Sequence, residues 1–306
     1  MPTVSVFAPA KVNLTLHVVG QRDDGYHLLD SLVAFAPVGD TVLMARAGVS
    51  SITVEGPEAA GVPADTDNLA LRGAMIALGQ DGAALTLDKR LPVASGIGGG
   101  SSDAAAAVRG ALQLLDDAAL GRLASGPDIL LETRFRPLVE LGADLAMCLV
   151  PKPLRARGIG ERIAFAEVPP LPAVLVNPRI AVSTPAVFRA LARRHNPPMP
   201  DELPRWPDAA ETIAWLADQR NDMEQAARGI APQIGDVLEA LAAQPGCGLA
   251  RMSGSGATCF GLFTTADDAR SAAVRLGQAH PEWWVADGIL GDQSARSMPR
   301  LLAVDA

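Results

Sequence analysis

Three cysteines, Cys148, Cys247 and Cys259, are all that the 306-residue chain holds. Their number is odd and their spacing matches no metal-ligand pattern. A disulfide framework and a thiolate metal site are therefore not expected, and the three read as reduced core thiols of a cytosolic protein. The first residues, MPTVSVFAPAKVN, lack the apolar run of a signal peptide, and no stretch approaches the length of a membrane span. Positive charge is also short: 26 Lys and Arg against 34 Asp and Glu leave a net charge of -8. This excludes a general nucleic-acid or membrane binder. Any anionic ligand must be met by a few local bases and by backbone N–H groups. Aromatic residues make up 4%, with a single tyrosine, Tyr26. No internal repeat of solenoid period is evident.

What is present is 49% hydrophobic residues, enough for a sizeable core in one large domain or two ordinary ones. TVSVFA and VNLTLHVVG alternate as strands, with Leu14, Leu16 and Val18 on one face. Asp24-Gly25 in QRDDGYH marks a turn. TVLMAR, SITVEG and AALTLDKRLP read as strands, and TDNLALRGAMIALG reads as a helix. A helix is expected from about Ser102 to Leu115, while residues 116–138 give no clear assignment. KPLRARGIGERIAF looks like the crossing into a second region. There PAVLVN is strand-like, and STPAVFRALARR starts a helix with Thr184 as N-cap and Pro185 at the first helical position. HNPPMPDELPRWP has five prolines in thirteen residues and reads as an irregular loop, followed by a helix pair up to about Ala243. The last hundred residues read strand (LARMS), Gly-Ser-Gly turn, strand (ATCFGLF), helix (TADDARSAAVRLGQ) and strand (EWWVAD), with a peripheral tail after Gly291. The pattern is α+β.

The stretch LPVASGIGGGSSDAAAAVRGAL, residues 91–112, is the most informative. Glycine is costly to order, so a cluster of it before a good helix needs a reason. Without Cβ atoms, successive N–H groups can converge on one point. The helix that follows adds its free N–H groups and the positive end of its dipole. Together these make an anion cradle. The cradle runs through Pro92, Val93, Ala94 and Ser95, then Gly96, Ile97, Gly98, Gly99 and Gly100, and ends on the hydroxyls of Ser101 and Ser102. No lysine completes a Walker A loop, and Ser101 stands where a dinucleotide fingerprint would want glycine. A flexible linker is the bland alternative, but linkers do not normally lead into an alanine-rich helix.

PAKVNLTLHVVGQRDDGYHLLDSL and RMSGSGATCFGLF, taken with the glycine loop, resemble the three motifs of the GHMP kinase superfamily, whose members include galactokinase, homoserine kinase and mevalonate kinase. DGYHLLDSL, NLALRGA, GGGSSDAA, LGAD, NDME and MSGSGATCF, in that order within residues 9–263, are similar to one branch. Members of that branch phosphorylate a cytidine-diphosphate-linked methylerythritol in the non-mevalonate route to isoprenoid precursors. The resemblance implies an N-terminal α/β domain of ribosomal-protein-S5-like type over residues 1–155. It implies a C-terminal ferredoxin-like α+β domain over residues 156–306, with the active site in the cleft between them. It further implies ATP and Mg²⁺ as cofactors, a small-molecule substrate, no nucleic-acid or membrane partner, a cytoplasmic location, and a monomer or weak homodimer. The Mg²⁺ ligands are not readable.

By the same resemblance Lys11 and Asp144 match the catalytic lysine and aspartate. The chemistry is coherent: a carboxylate accepts or orients the hydroxyl proton, and a cation stabilises charge on the transferring group. Read without the resemblance, Lys11 is a strand-edge charge and Asp144 a helix cap. Asn13, Tyr26, His27, Thr184 and Phe188 match the side that takes the second substrate, where a cytosine lies between aromatic rings. Gly254, Ser255 and Gly256 form a second small-residue turn at the cleft, or else a simple hairpin. Asn68 matches a position near the adenine and reads equally as an N-cap. The chain departs from the branch at Ala146, where proline is usual, and at Ala94-Ser95, where glycine-like residues are usual. It also lacks a tryptophan-bearing pattern over residues 116–137. Another GHMP kinase, acting on mevalonate, homoserine or a sugar, is the alternative enzyme. A non-catalytic nucleotide-binding module is the alternative outside enzymes.

Overall fold

The computed structural model describes residues 3–123 and 135–302. The chain opens with strands β1 (Thr3–Asn13), β2 (His17–Gln21), β3 (His27–Ala47) and β4 (Ser51–Glu55). Helix α1 (Leu69–Leu78), strand β5 (Gly82–Asp88) and helices α2 (Gly99–Leu114), α3 (Ala119–Leu123), α4 (Arg136–Val139) and α5 (Ala143–Leu149) follow. Then come β6 (Leu154–Gly158), β7 (Arg162–Phe165) and β8 (Leu171–Asn177). Helices α6 (Thr184–Arg189), α7 (Ala209–Ala217), α8 (Glu224–Ile230) and α9 (Gln233–Ala242) lead to β9 (Cys247–Met252) and β10 (Cys259–Phe263). Helix α10 (Ala266–Ala279) and strands β11 (Trp284–Leu290) and β12 (Arg300–Leu302) complete it.

Two sheets organise these elements. The first has the order β12-β1-β3-β5-β4, with β2 and β6 also paired to β3 and β7 paired to β6. Its pairs are antiparallel apart from β4 with β5. The 21-residue β3 makes this possible, because β1 runs along Val33–Ala45 and β5 along Thr41–Ala47, while β2 and β6 pair with its N-terminal part, His27–Asp30 and Leu29–Val33. The second sheet has the order β11-β8-β10-β9, all antiparallel. Strand–helices–strand–strand–helix–strand with the last strand beside the first is a split β-α-β arrangement. β8 is buried at every residue, which is why PAVLVN is a continuous apolar run rather than an alternating one. Val174 and Val176 pack with α9 and α10 residues, while Ala173 and Leu175 pack toward Ala10, Val12, Leu14 and Leu32 of the first sheet. That shared cluster joins the two halves.

Several expectations shift. α2 starts at Gly99 rather than near Ser102, because Gly98, at φ +65, caps the helix without a side chain. Ser183, not Thr184, is the N-cap of α6, with Thr184 already inside the helix. Three helices rather than two fill residues 209–242. The tail after Gly291 is not peripheral. Gly291 N–H bonds Phe35 O at 2.9 Å, Ser297 is fully buried, and β12 pairs with Thr3–Ser5 of β1. Within the unassigned stretch 116–138, α3 and the start of α4 are seen, and residues 124–134 lie outside the described ones. Cys148 and Cys259 are buried and Cys247 is half-buried, all three as free thiols.

Candidate active site

A cleft of about 1220 Å³ lies between the two halves, walled by β1, the β2–β3 turn, the glycine loop, α5, α6 and the β9–β10 turn. Such a volume exceeds the usual range for one small ligand. Of the residues singled out from the sequence, all but Ile97, Ser102 and Gly256 line it. Those three serve the wall from behind. Ile97 is a fully buried apolar residue. Ser102 Oγ donates to Pro9 O at 2.8 Å, and Gly256 N–H closes its own turn onto Ser253 O at 3.0 Å.

The glycine loop is built by three contacts. β1 has a register shift between Pro9 and Lys11, where proline cannot donate to the ladder. Lys11 N–H is thereby turned onto Ile97 O at 2.9 Å. Thr258 N–H reaches Ser95 O at 3.1 Å, and Ser253 Oγ donates to Gly96 O at 3.1 Å. The loop and the β9–β10 turn interlock. A Cβ on Gly96 would stand 2.5 Å from Ser253 O, and one on Gly254 would stand 2.6 Å from Gly96 O. Asn221 holds the partner turn, donating Nδ2 to Met252 O at 2.8 Å and Gly254 O at 2.9 Å. Glu224 accepts Met252 N–H at 3.0 Å, so the motif NDME is the brace of MSGSG. In α2 the first turn closes with Ser102 N–H on Gly98 O at 2.8 Å. The N–H groups at the head of the helix, with no acidic residue in the first turn, are suited to meet an anion. Ala94 adopts φ +51, a conformation glycine takes at less cost.

Beside the loop, Lys11 Nζ donates to Asp144 Oδ2 at 2.6 Å. The lysine side chain is 4% exposed and the carboxylate 39%, so the pair presents Asp144 to the cleft. Asp144 sits in the first turn of α5, where the helix dipole favours an anion. Asn13 Nδ2 donates to Ser31 Oγ at 2.8 Å, which leaves its Oδ1 buried without a partner.

Sequence reading missed the charges below the loop. Lys89 Nζ donates to Asp103 Oδ2 at 2.9 Å and to Asp40, and all three are nearly or fully buried. Burial works to lower the Lys89 ammonium, and Asp103 and Asp40 outweigh it, so it is raised. Two carboxylates share one cation, and burial pushes Asp103 up to about 8 against the pull of Lys89. Lys89 and Asp103 line the cleft under Gly99, whose Cβ would stand 3.1 Å from Nζ. The available signal was DKRLP, a lysine at a strand end directly before the loop, in a chain with only three lysines.

At the other end of the cleft, His27 stacks on Phe188 with ring centroids 4.4 Å apart and an interplanar angle of 14°. One face of Phe188 is thus covered, and the opposite face is the one left for a planar ligand. Burial, then the Arg194 guanidinium, lowers His27 below its usual value, so the ring is neutral at pH 7 and its buried Nε2 lacks a partner. Tyr26 is 61% exposed at the rim. Thr184 Oγ1 lies 2.7 Å from Ser255 Oγ, which ties α6 to the second glycine turn. Asn68 caps α1, accepting Ala70 N–H at 2.9 Å and donating to Pro63 O at 2.7 Å, so the bland reading holds while the residue also lines the cleft.

Comparison with known proteins agrees with this geometry. The family described as GHMP kinases N terminal domain matches residues 68–130, and GHMP kinases C terminal matches residues 201–282. A 4-diphosphocytidyl-2-C-methyl-D-erythritol kinase of Roseobacter denitrificans is 53% identical over 299 residues, 97% of each chain. One of Cereibacter sphaeroides is 55% identical over 282 residues, 92% of this chain and 96% of the relative. A crystal structure of 4-(cytidine 5'-diphospho)-2C-methyl-D-erythritol kinase superposes with a TM-score of 0.72 at 35% identity, covering 94% of this chain and 99% of the other.

Proposed function

The chain belongs to the 4-diphosphocytidyl-2-C-methyl-D-erythritol kinase family of the GHMP kinases, and from that premise we propose that it transfers the γ-phosphoryl group of ATP to the 2-hydroxyl of 4-diphosphocytidyl-2-C-methyl-D-erythritol. The observation that carries this reading is the Lys11–Asp144 contact of 2.6 Å beside the glycine loop in one cleft. Phosphoryl transfer needs a phosphate cradle, positive charge on the transferring group and an oriented hydroxyl. The loop from Pro92 to Ser101 and the N–H groups of α2 are the cradle, since no Cβ at Gly98, Gly99 or Gly100 fills it. Asp144 accepts or orients the proton of the attacking hydroxyl, and Lys11 holds that carboxylate and stabilises the developing charge.

Mg²⁺ needs few protein ligands when phosphates supply the rest. The oxygen donors on the cleft wall, Asp144 and Ser101, suit a cation that enters with the nucleotide, which neutralises phosphate charge when bound. Adenine lies toward the wall that Asn68 fixes. Cytosine lies on the open face of Phe188 below Tyr26, the face that His27 does not cover, with the diphosphate toward Thr184, Ser255 and Asn13. The ATP-binding domain is residues 1–155 and the C-terminal substrate-side domain residues 156–306, with β6, β7 and β12 completing the first sheet and Asn13, Tyr26 and His27 of the first domain reaching the alcohol across the cleft. No helix among the described residues is long and apolar enough to cross a membrane, and we assign a cytoplasmic monomer or weak homodimer. A coupled ADP-release assay tests the reading: turnover is expected with the cytidylyl alcohol and not with mevalonate or homoserine. Preference for either of the latter overturns it.

A further inference from the structure

Arg109 is the one charge in the apolar run AAAAVRGAL of α2. It is 2% exposed, and among the described residues no carboxylate pairs with it. It donates instead to four backbone carbonyls: Nη1 to Cys148 O at 2.8 Å and Leu149 O at 3.2 Å, Nη2 to Phe7 O at 3.1 Å, and Nε to Ser297 O at 3.0 Å. Burial lowers it to about 10, so it remains cationic at neutral pH.

A buried guanidinium without an anion is costly, and an apolar side chain would fill the same space at less cost. What distinguishes Arg109 is where its acceptors lie. Phe7 is on β1, four residues before Lys11. Cys148 and Leu149 end α5, whose first turn carries Asp144. Ser297 is in the C-terminal tail, held there by its N–H on Gln293 O at 3.0 Å and by Gln293 N–H on Pro151 O at 2.9 Å. Arg109 itself stands on α2, the helix that the glycine loop opens. The planar fork therefore fastens the lysine strand, the aspartate helix and the loop helix to one another. α5 spans seven residues, about 10 Å, and a rigid helix that short carries a displacement of its last turn to its first. The cation also sits where the α5 dipole is negative.

We propose that Arg109 is a positioning residue for phosphoryl transfer, which with the Ser297 carbonyl of the tail sets Lys11 and Asp144 relative to the glycine loop. This rests on the kinase reading above. Arg109→Lys keeps the charge, but a point cation cannot span four carbonyls. It is expected to lower kcat by about 10- to 100-fold, the scale of a small misplacement of reacting groups. KM for ATP stays unchanged, because the loop has its own bonds to β1 and to the second glycine turn. Hydrogen exchange rises in residues 143–149 and in the tail, and not in the second sheet. A chain truncated after Gln293, which removes the Ser297 carbonyl, shifts kcat in the same direction. Wild-type kcat in either folded variant overturns the proposal. So does a loss of kcat and ATP affinity together, and so does failure of both variants to fold, since Arg109 is then a residue of stability alone. If the wild-type protein phosphorylates a different alcohol, the substrate reading fails, and the same kcat and exchange comparisons made with that alcohol still decide the role of Arg109.

Discussion

Lys11 and Asp144 show how much one contact adds to two unremarkable residues. Read alone, one is a strand-edge charge and the other a helix cap; 2.6 Å apart, with the lysine buried, they form an ion pair at the cleft, the unit proposed above to orient a hydroxyl. Asp144→Asn keeps shape and removes charge, and kcat is expected to fall about 10²- to 10⁴-fold with ATP binding nearly intact. Lys11→Met costs a comparable amount, and the double variant loses less than the product because the two act together. Steady-state kinetics with calorimetric ATP titration checks this, and near-normal turnover of Asp144→Asn would place the catalytic carboxylate elsewhere. Phe188 is half-buried against the core of the second sheet and stacked on His27. Phe188→Ala is expected to raise KM for the cytidylyl alcohol about 10- to 100-fold, the equivalent of one lost base-stacking surface. KM for ATP is unchanged, and stability falls by less than the roughly 3–5 kcal/mol of a fully buried phenylalanine. Unfolding by that substitution would make Phe188 a core residue only.

At the scale of elements, the glycine loop is half of a two-part device. Gly96 and Gly254 each leave room for the other turn's backbone, so neither loop has its shape without the other. Gly96→Ala places a Cβ within 2.8 Å of three backbone atoms at φ +75. Both turns must shift, so KM is expected to rise for ATP and for the alcohol alike, and the thermal midpoint falls. Gly100→Ala meets only the Leu69 side chain, at 3.3 Å, and weakens ATP binding without loss of stability. Equal stability of the two variants, read by thermal melting, would show that the turns are independent.

Across the whole molecule, the seam between the sheets is polar at one edge. Leu16 bridges Asn221, Val18 N–H bonds Asp222 Oδ2 at 2.7 Å, and His17 between them is 1% exposed. Burial, then the Arg220 charge, lowers His17 to about 4, while Asp222 and Asp30 pull it up less strongly. Between pH 6.5 and 4 the unfolded chain binds a proton there that the folded chain does not. Stability is therefore fully present above pH 6.5 and lost as pH falls toward 4, with a slope of up to about 1.4 kcal/mol per pH unit from this group. Urea midpoints across that range check it, and His17→Gln is expected to flatten the slope. An unchanged slope would move the acid sensitivity to other groups.

The glycine loop, the two other motifs and the α+β order of elements were legible in the chain itself. Each is a local demand: a backbone without Cβ atoms, a turn after a strand, an apolar period. The contact between Lys11 and Asp144, 133 residues apart, rested on resemblance until the fold brought them to 2.6 Å. Two further features were not legible at all, the interlock of Gly96 with Gly254 and the four carbonyls around Arg109, and of the Lys89 trio only the lysine of DKRLP left a trace. Their acceptors come from segments distant in sequence, and a carbonyl oxygen has no residue type to betray it. The same reason hid the tail, where Ser297 contributes its backbone to Arg109 rather than its side chain. Local propensity and pattern decided which segments are strands, turns and helices. Only the packing of one sheet on the other decided which backbone groups meet, and so which buried charges the protein can hold.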